Sequence, residues 1–407
     1  VETIARLKNV IQNYAWGSHE AIARLLGQPT PSPQPQAELW MGAHPKAPSQ
    51  VGINGRLEKL DGFIDAHPDK ILGRKSVQTF GPRLPYLFKV LAAAEPLSIQ
   101  AHPNAQQAAA GFERENKLAI PLDAPERNYR DDRHKPEILC AMTDFWALCG
   151  FRPVEQIRSY FEQVRSLGLQ RAYRLLPASS HSGDLRLFFE ALMTMPMVDK
   201  NKAITEMLAI VRTTGKHDPV FKWLNKLNAA YPVGVDKRTD IGIIAPLFLN
   251  LIRLTPGEAI FLPAGELHAY LKGVGIELMA NSDNVLRGGL TPKHVDLPEL
   301  TEVLSFKSRT AEPLPKKQLA PDETAFVTPA NEFVLSVISL SRDATYTSPE
   351  KRGAEILLCT QGEAHLSDLT GRHSFDIAKG HSFLVPAAAG AYRIKGTATL
   401  FKAAVLV

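Results

Sequence analysis

Gln100 and His102 stand two residues apart in the stretch Ser98-Ile99-Gln100-Ala101-His102-Pro103. Side chains two apart on an extended strand point to the same face, so Ser98, Gln100 and His102 converge on one side while Leu97, Ile99 and Ala101 turn to the other. An amide oxygen and an imidazole meeting at one point suit a metal ion. A sheet-surface histidine hydrogen-bonded to a neighbour is the plain alternative, and the pair alone does not separate the two. In Arg133-His134-Lys135-Pro136-Glu137-Ile138-Leu139-Cys140-Ala141 a polar entry runs into an apolar strand, with Lys135 and Glu137 on one face. Farther on, Gly257, Pro263, Gly265 and His268 are spaced G-x5-P-x-G-x2-H, with glycines that permit the tight turns needed to aim a histidine inward.

These residues need elements to hold them. The run Leu84 to His102 reads as strand, with Leu87 to Ala92 as its buried part, and Asn104 to Asn116 reads as a helix anchored by Phe112. After Pro153 the period changes: Ile157, Phe161 and Val164, then Leu185, Phe188, Phe189 and Leu192, then Ile204, Met207, Leu208 and Val211 recur at helical spacing. Strand signals return before Gly257, and from about Leu314 short apolar runs separated by Gly and Pro turns indicate an all-β region. The spacing from Gly257 to Pro263 recurs from Gly380 to Pro386, but Ala388 and Ala391 stand where Gly265 and His268 would be. Two related β-barrels, one with a ligand histidine and one without, account for this echo.

A chain of 407 residues is too long for one ordinary domain. Its net charge of +5 is small and its acidic and basic residues are interspersed, which argues against a nucleic-acid partner. The cysteines, Cys140, Cys149 and Cys359, make no CxxC pair and suit a reducing cytosol. No apolar run approaches a membrane span and the first residues carry no signal pattern, so a cytoplasmic protein without membrane contact is expected.

The spacing around Gly257 and His268 resembles the second motif of the cupin, or jelly-roll, superfamily. Gln100 takes the place of the first cupin histidine, and Glu137 is displaced by the residues from 103 to 136. With Asn13-Tyr14-Ala15-Trp16-Gly17, Glu38-Leu39-Trp40-Met41-Gly42, Arg133 to Glu137, and Asn281-Ser282-Asp283-Asn284-Val285-Leu286-Arg287-Gly288-Gly289-Leu290-Thr291-Pro292-Lys293-His294, the chain resembles the type I mannose-6-phosphate isomerase family over residues 13 to about 296.

The resemblance implies one Zn2+ per chain, held by Gln100, His102, Glu137 and His268. It also implies an active-site arginine at Arg287, phosphate contacts from Ser98 and Lys293, and Lys135 near the reacting carbons. Glu277 and Lys135 are the candidates for the general base, with a strand carboxylate paired to an arginine as the alternative for Glu277 and a solvated lysine for Lys135. Trp16 could pack against the apolar side of a sugar, whereas Trp40 is read as core. His44, His134, His294 and His381 are read as structural or surface residues.

The expected fold is mainly β with a helical insertion: two cupin-like jelly-roll β-barrels plus an α-helical domain. Residues 1–152 and 238–313 would form the catalytic barrel, 153–237 the helical insertion and 314–407 a metal-free barrel. The expected activity is zinc-dependent interconversion of mannose 6-phosphate and fructose 6-phosphate through an enediol by a monomer. The competing readings are an iron-dependent cupin oxygenase and a non-catalytic sugar-binding cupin.

Overall fold

Strand His268–Ala280 is the spine of a ten-stranded sheet in the computed structural model. Its first residues pair antiparallel with Phe145–Phe151 and Ile99–Ala101, where His268 lies opposite both Cys149 and Gln100. Past Gly273 it pairs with Tyr86–Ala93, setting Glu277 opposite Lys89, and with Glu137–Ala141, setting Met279 opposite Glu137. The change of partners requires a corner. Gly273 makes it at φ +137°, where a Cβ would stand 2.7 Å from the Asp144 carbonyl oxygen. One strand thereby carries a residue of the metal-ligand type at its start and a buried carboxylate nine positions on.

The structure describes residues 3–53, 55–177, 182–213, 217–233, 239–342, 344–371 and 373–405. Helices Val154–Val164, Ser182–Met193, Met197–Thr213 and Pro219–Ala230 follow from the apolar spacing. They bury Ile157, Phe161, Phe188 and Leu224 in one cluster with Leu148, Phe151 and Leu286 of the ten-stranded sheet and with Leu267 just before His268. This cluster backs the strands that carry His268 and Arg287. The expected end of the helical insertion at 237 lies outside the described residues.

The second sheet has eleven strands, among them Tyr392–Ala404, Glu355–Asp368 and Ser382–Val385. It also takes in the strand Ala5–Lys8 from the chain's beginning, which pairs Ala5 with Leu384 and, on its other side, Leu7 with Val51. Hydrogen bonding therefore crosses the limits expected for 1–152 and 314–407, because Ala5 and Leu7 alternate with polar residues and fit any half-buried edge. The two sheets share a core in which Phe88, Val90, Ile276 and Leu278 meet Phe333, Ile356, Leu358 and Phe401.

Helix Ala105–Lys117 forms as the sequence indicates, opened by a capping box between Asn104 and Gln107. Its anchor differs from expectation. Ala108, Gly111 and Glu115 face inward, Phe112 is only half-buried, and a Cβ on Gly111 would stand 2.4 Å from the Tyr129 ring. Among the described residues no helix is long and apolar enough to cross a membrane.

Candidate metal centre and anion pole

His102, Glu137 and His268 come from three separate strands or strand ends and are each almost wholly buried. His102 Nε2 and His268 Nε2 stand 3.4 and 3.2 Å from Glu137 Oε2. None of these three buried atoms has a hydrogen-bond partner. The opposite ring nitrogens do: His102 Nδ1 donates to the Asn284 carbonyl at 2.7 Å and His268 Nδ1 to the Glu266 carbonyl at 3.1 Å. With Nδ1 carrying the hydrogen, each Nε2 presents a lone pair to the common point. Two ligand atoms on a tetrahedral zinc stand about 3.3 Å apart, given Zn–N and Zn–O bonds of about 2.0–2.1 Å. The donor types and spacing fit a zinc ion, and an unfilled cluster of orphaned polar atoms would be costly to bury.

Electrostatics favour the ligating forms. Burial, with the Lys135 charge beside it, pushes the His102 imidazole down to about 4. Burial alone would raise the Glu137 carboxyl, but Lys135 and the imidazoles hold it well below the usual range. Lys135 Nζ lies 3.0 Å from Glu137 Oε1, which leaves Oε2 facing the imidazoles.

Glu137 of the triad lines a cavity of about 760 Å³. Gln100 also borders it, and its register opposite both His268 and Arg287 puts the three side chains on one sheet face. Ser98, Trp16, Arg287 and Lys293 line the same space, with Trp16 stacked on Tyr14. Arg287 and Lys293 share it with Arg130. Burial and the Arg130 charge lower Arg287, and burial with both arginines lowers Lys293. Three cations on one cavity form a ready site for a dianion.

Glu277 lines the cavity wall but both its oxygens are engaged. Oε2 is 2.9 Å from Lys89 Nζ and Oε1 accepts from the Tyr270 hydroxyl at 2.9 Å. The partner is a lysine, where sequence reasoning named an arginine. Lys89 also lies 3.7 Å from Glu38 Oε1, and Glu38 Oε2 accepts from Trp40 Nε1 at 2.7 Å. Asp283, on the same cavity, is less enclosed: its carboxylate meets Lys46 at 2.8 Å and His44 at 3.5 Å with the side chain 30% exposed.

Comparison with known proteins agrees with this geometry. Residues 4–154 match the family described as phosphomannose isomerase type I, catalytic domain, and residues 322–405 match the mannose-6-phosphate isomerase cupin domain. The mannose-6-phosphate isomerase of Shigella flexneri is 41% identical over 397 residues, covering 96% of this chain and 97% of its own. The human mannose-6-phosphate isomerase is 36% identical, covering 92% and 91%. A zinc-bound crystal structure of mannose 6-phosphate isomerase superposes over the full length of both chains with a TM-score of 0.91 at 37% identity. The chain belongs to the type I mannose-6-phosphate isomerase family.

Within that family frame, Trp16, Ser98, Gln100, Lys135, Glu137, Glu277, Arg287 and Lys293 line one cavity, and His102 and His268 cluster with Glu137. Sequence reasoning missed Lys89, Glu38, Arg130, Asp283 and His44. Lys89 carried a signal, because a lone lysine inside the fully buried strand Tyr86–Ala93 needs a buried acid. His44, read as structural, faces Asp283 on the cavity wall. Arg130 carried none, since it sits in a polar loop, and Asp283 stood within the motif from Asn281 to His294 with no role read for it.

Proposed function

We propose that the protein interconverts mannose 6-phosphate and fructose 6-phosphate as a zinc-dependent isomerase. The observation that carries this reading is the trio of orphaned, buried ligand atoms on His102, Glu137 and His268, of which Glu137 lines the cavity that also holds Arg130, Arg287 and Lys293. His102, Glu137, His268 and Gln100 would hold the zinc. When bound, zinc supplies a Lewis acid that stabilises the negative charge developing on a sugar oxygen as the proton moves between C2 and C1.

The chain's own groups divide the rest. Arg130, Lys293 and the Ser98 hydroxyl hold the phosphate, and Arg287 reaches from that pole toward the sugar oxygens, where its fixed charge favours the enediol. Trp16 offers a flat apolar surface to the sugar. Lys135, pinned by Glu137 Oε1, donates to the oxygen at C1 or C2. Glu277 would have to break an ion pair and a hydrogen bond before it could lift a proton, so we assign it to holding Lys89 and Tyr270. Asp283 is also paired, with Lys46 and His44, but it is the more accessible carboxylate and is the base we favour.

We divide the chain into a catalytic barrel from 1–152 and 238–313, a helical insertion at 153–237, and a metal-free barrel at 314–407 that borrows Ala5–Lys8. A monomer in the cytoplasm suits a site built from one chain and three buried free cysteines. An oxygenase reading leaves the cluster of three cations without a task. A coupled assay for fructose 6-phosphate, run before and after chelation and zinc restoration, tests the function. Activity that survives verified metal removal, or stoichiometric iron with oxygen uptake, would overturn it.

A further inference from the structure

Asn284 is completely buried, and all of its polar atoms are used. Its backbone carbonyl accepts from His102 Nδ1 at 2.7 Å. Its side-chain oxygen accepts from the backbone N–H of Arg130 at 2.7 Å and of Asp131 at 3.2 Å. Its amide nitrogen donates to the carbonyls of Asp131 and Arg133, each at 2.8 Å. One residue thus orients a metal-ligand imidazole with its main chain and fixes the backbone of residues 130–133 with its side chain.

We propose that Asn284 is a positioning residue that couples the metal triad to the anion pole, so that zinc and the substrate's phosphate each strengthen the binding of the other. The proposal rests on the zinc-isomerase reading in that it names those two ligands. The loop carries Arg130 into the cavity, and the hydrogen-bond set requires an asparagine. Two donors and an acceptor must issue from one short planar group, and without them two carbonyls and two N–H groups of the loop lose their partner. Filling the metal site restrains His102, and through the Asn284 main chain it restrains the residue that holds the loop. An anion on Arg130 then has less freedom left to remove, and linkage makes the effect reciprocal. Neighbouring contacts reinforce the tie: Ser282 Oγ donates to Asp131 Oδ1 and the Asp283 N–H donates to Asp131 Oδ2, both at 2.8 Å.

The test measures zinc affinity by competition with a chromophoric chelator, with and without saturating 1,5-anhydromannitol 6-phosphate. That ligand carries the phosphate but no carbonyl, so it cannot isomerise. In the unaltered protein it should tighten zinc at least about fivefold. Asn284→Asp, which keeps the shape and loses both donors, should weaken zinc about tenfold without the ligand and abolish the tightening. No tightening in the unaltered protein, or tightening of full size in the variant, overturns the proposal. If Asn284→Asp does not fold, Arg130→Met decides: zinc affinity alone should be unchanged and the tightening reduced, and full tightening there also overturns it. Turnover and zinc stoichiometry of the unaltered protein test the isomerase reading separately and can hold while the coupling fails.

Discussion

Replacing Lys89 with methionine removes the cation that Glu277 and Glu38 share while keeping the length of the side chain. All three residues are buried, with Lys89 Nζ 2.9 Å from Glu277 and 3.7 Å from Glu38. Burial raises the Glu277 carboxyl, and Lys89 is the largest influence opposing it. Without Lys89 the buried carboxyl takes up a proton on folding. From its ordinary value of 4.5 to pH 7 is roughly 2.5 pH units, and at about 1.4 kcal/mol per unit the cost is at most about 3.5 kcal/mol. That agrees with the roughly 3–5 kcal/mol lost when one partner of a buried ion pair is removed.

The sign with pH follows. A carboxyl whose folded pKa is raised stabilises the fold fully below its unfolded value and loses that contribution as pH rises toward the folded value. The deficit of Lys89→Met should therefore be about 1 kcal/mol at pH 5 and about 3 to 4 kcal/mol at pH 7. In the unaltered protein burial pulls Lys89 down, but the two carboxylates more than reverse this and raise it. Its contribution is lost only above 10.5 and adds no slope in this window. Urea unfolding at both pH values, followed by tryptophan fluorescence, reads the difference; Trp40 lies 5.4 Å from Lys89 Nζ. A double variant with Glu277→Gln should recover most of the loss at pH 7. Equal deficits at the two pH values would refute the reasoning.

Gln100→Ala should weaken zinc binding, measured by chelator competition, and leave the fold's urea midpoint little changed in excess zinc. Arg287→Ala should keep full zinc occupancy by metal analysis and lower turnover by about 10²-fold or more, as for removal of a fixed charge stabilising a developing oxyanion. Asp283→Asn should abolish exchange of the C2 proton with solvent while zinc occupancy is kept. Lys402→Met, in the second sheet, should cost about 3–5 kcal/mol of stability and leave zinc affinity as it was.

Local pattern exposed much of this site, but unevenly. Gln100 and His102 share one strand face and His268 follows turn glycines, but the ligand set that joins them to Glu137 came from the resemblance to the family's motifs. The helical block was legible from Ile157, Phe161 and their successors, since a period of 3.6 needs no distant partner. The pairing of Ala5–Lys8 with Ser382–Val385 was not, because register between distant strands is set by the partner sheet. Glu277 could be read two ways until Lys89 and Tyr270 were seen on its two oxygens. Asn284 was part of a quoted motif, yet its task depends on carbonyls of residues 131 and 133, which no side-chain pattern encodes.

The two sheets repeat one ionic arrangement with different outcomes. In the second, Lys402 Nζ lies 2.6 Å from Glu323, 3.5 Å from Glu355 and 3.1 Å from the Tyr346 hydroxyl, and Tyr392 donates to Glu355 at 2.8 Å. A lysine between two glutamates with a tyrosine on a carboxylate therefore occurs in both, as Lys89, Glu277, Glu38 and Tyr270 do in the first. The turn glycines also correspond: Gly257 has φ +87° and Gly380 φ +85°. The divergence begins after the proline, where the first copy runs through Gly265 to His268 and the second enters the short 3-10 turn Ala387–Ala389. Among the described residues no inward histidine follows in the second copy, and Tyr346 and Tyr392 are buried there. What the first sheet adds is a hairpin that presents His268, a strand end that presents His102, and a carboxylate between them whose second oxygen is already held by Lys135.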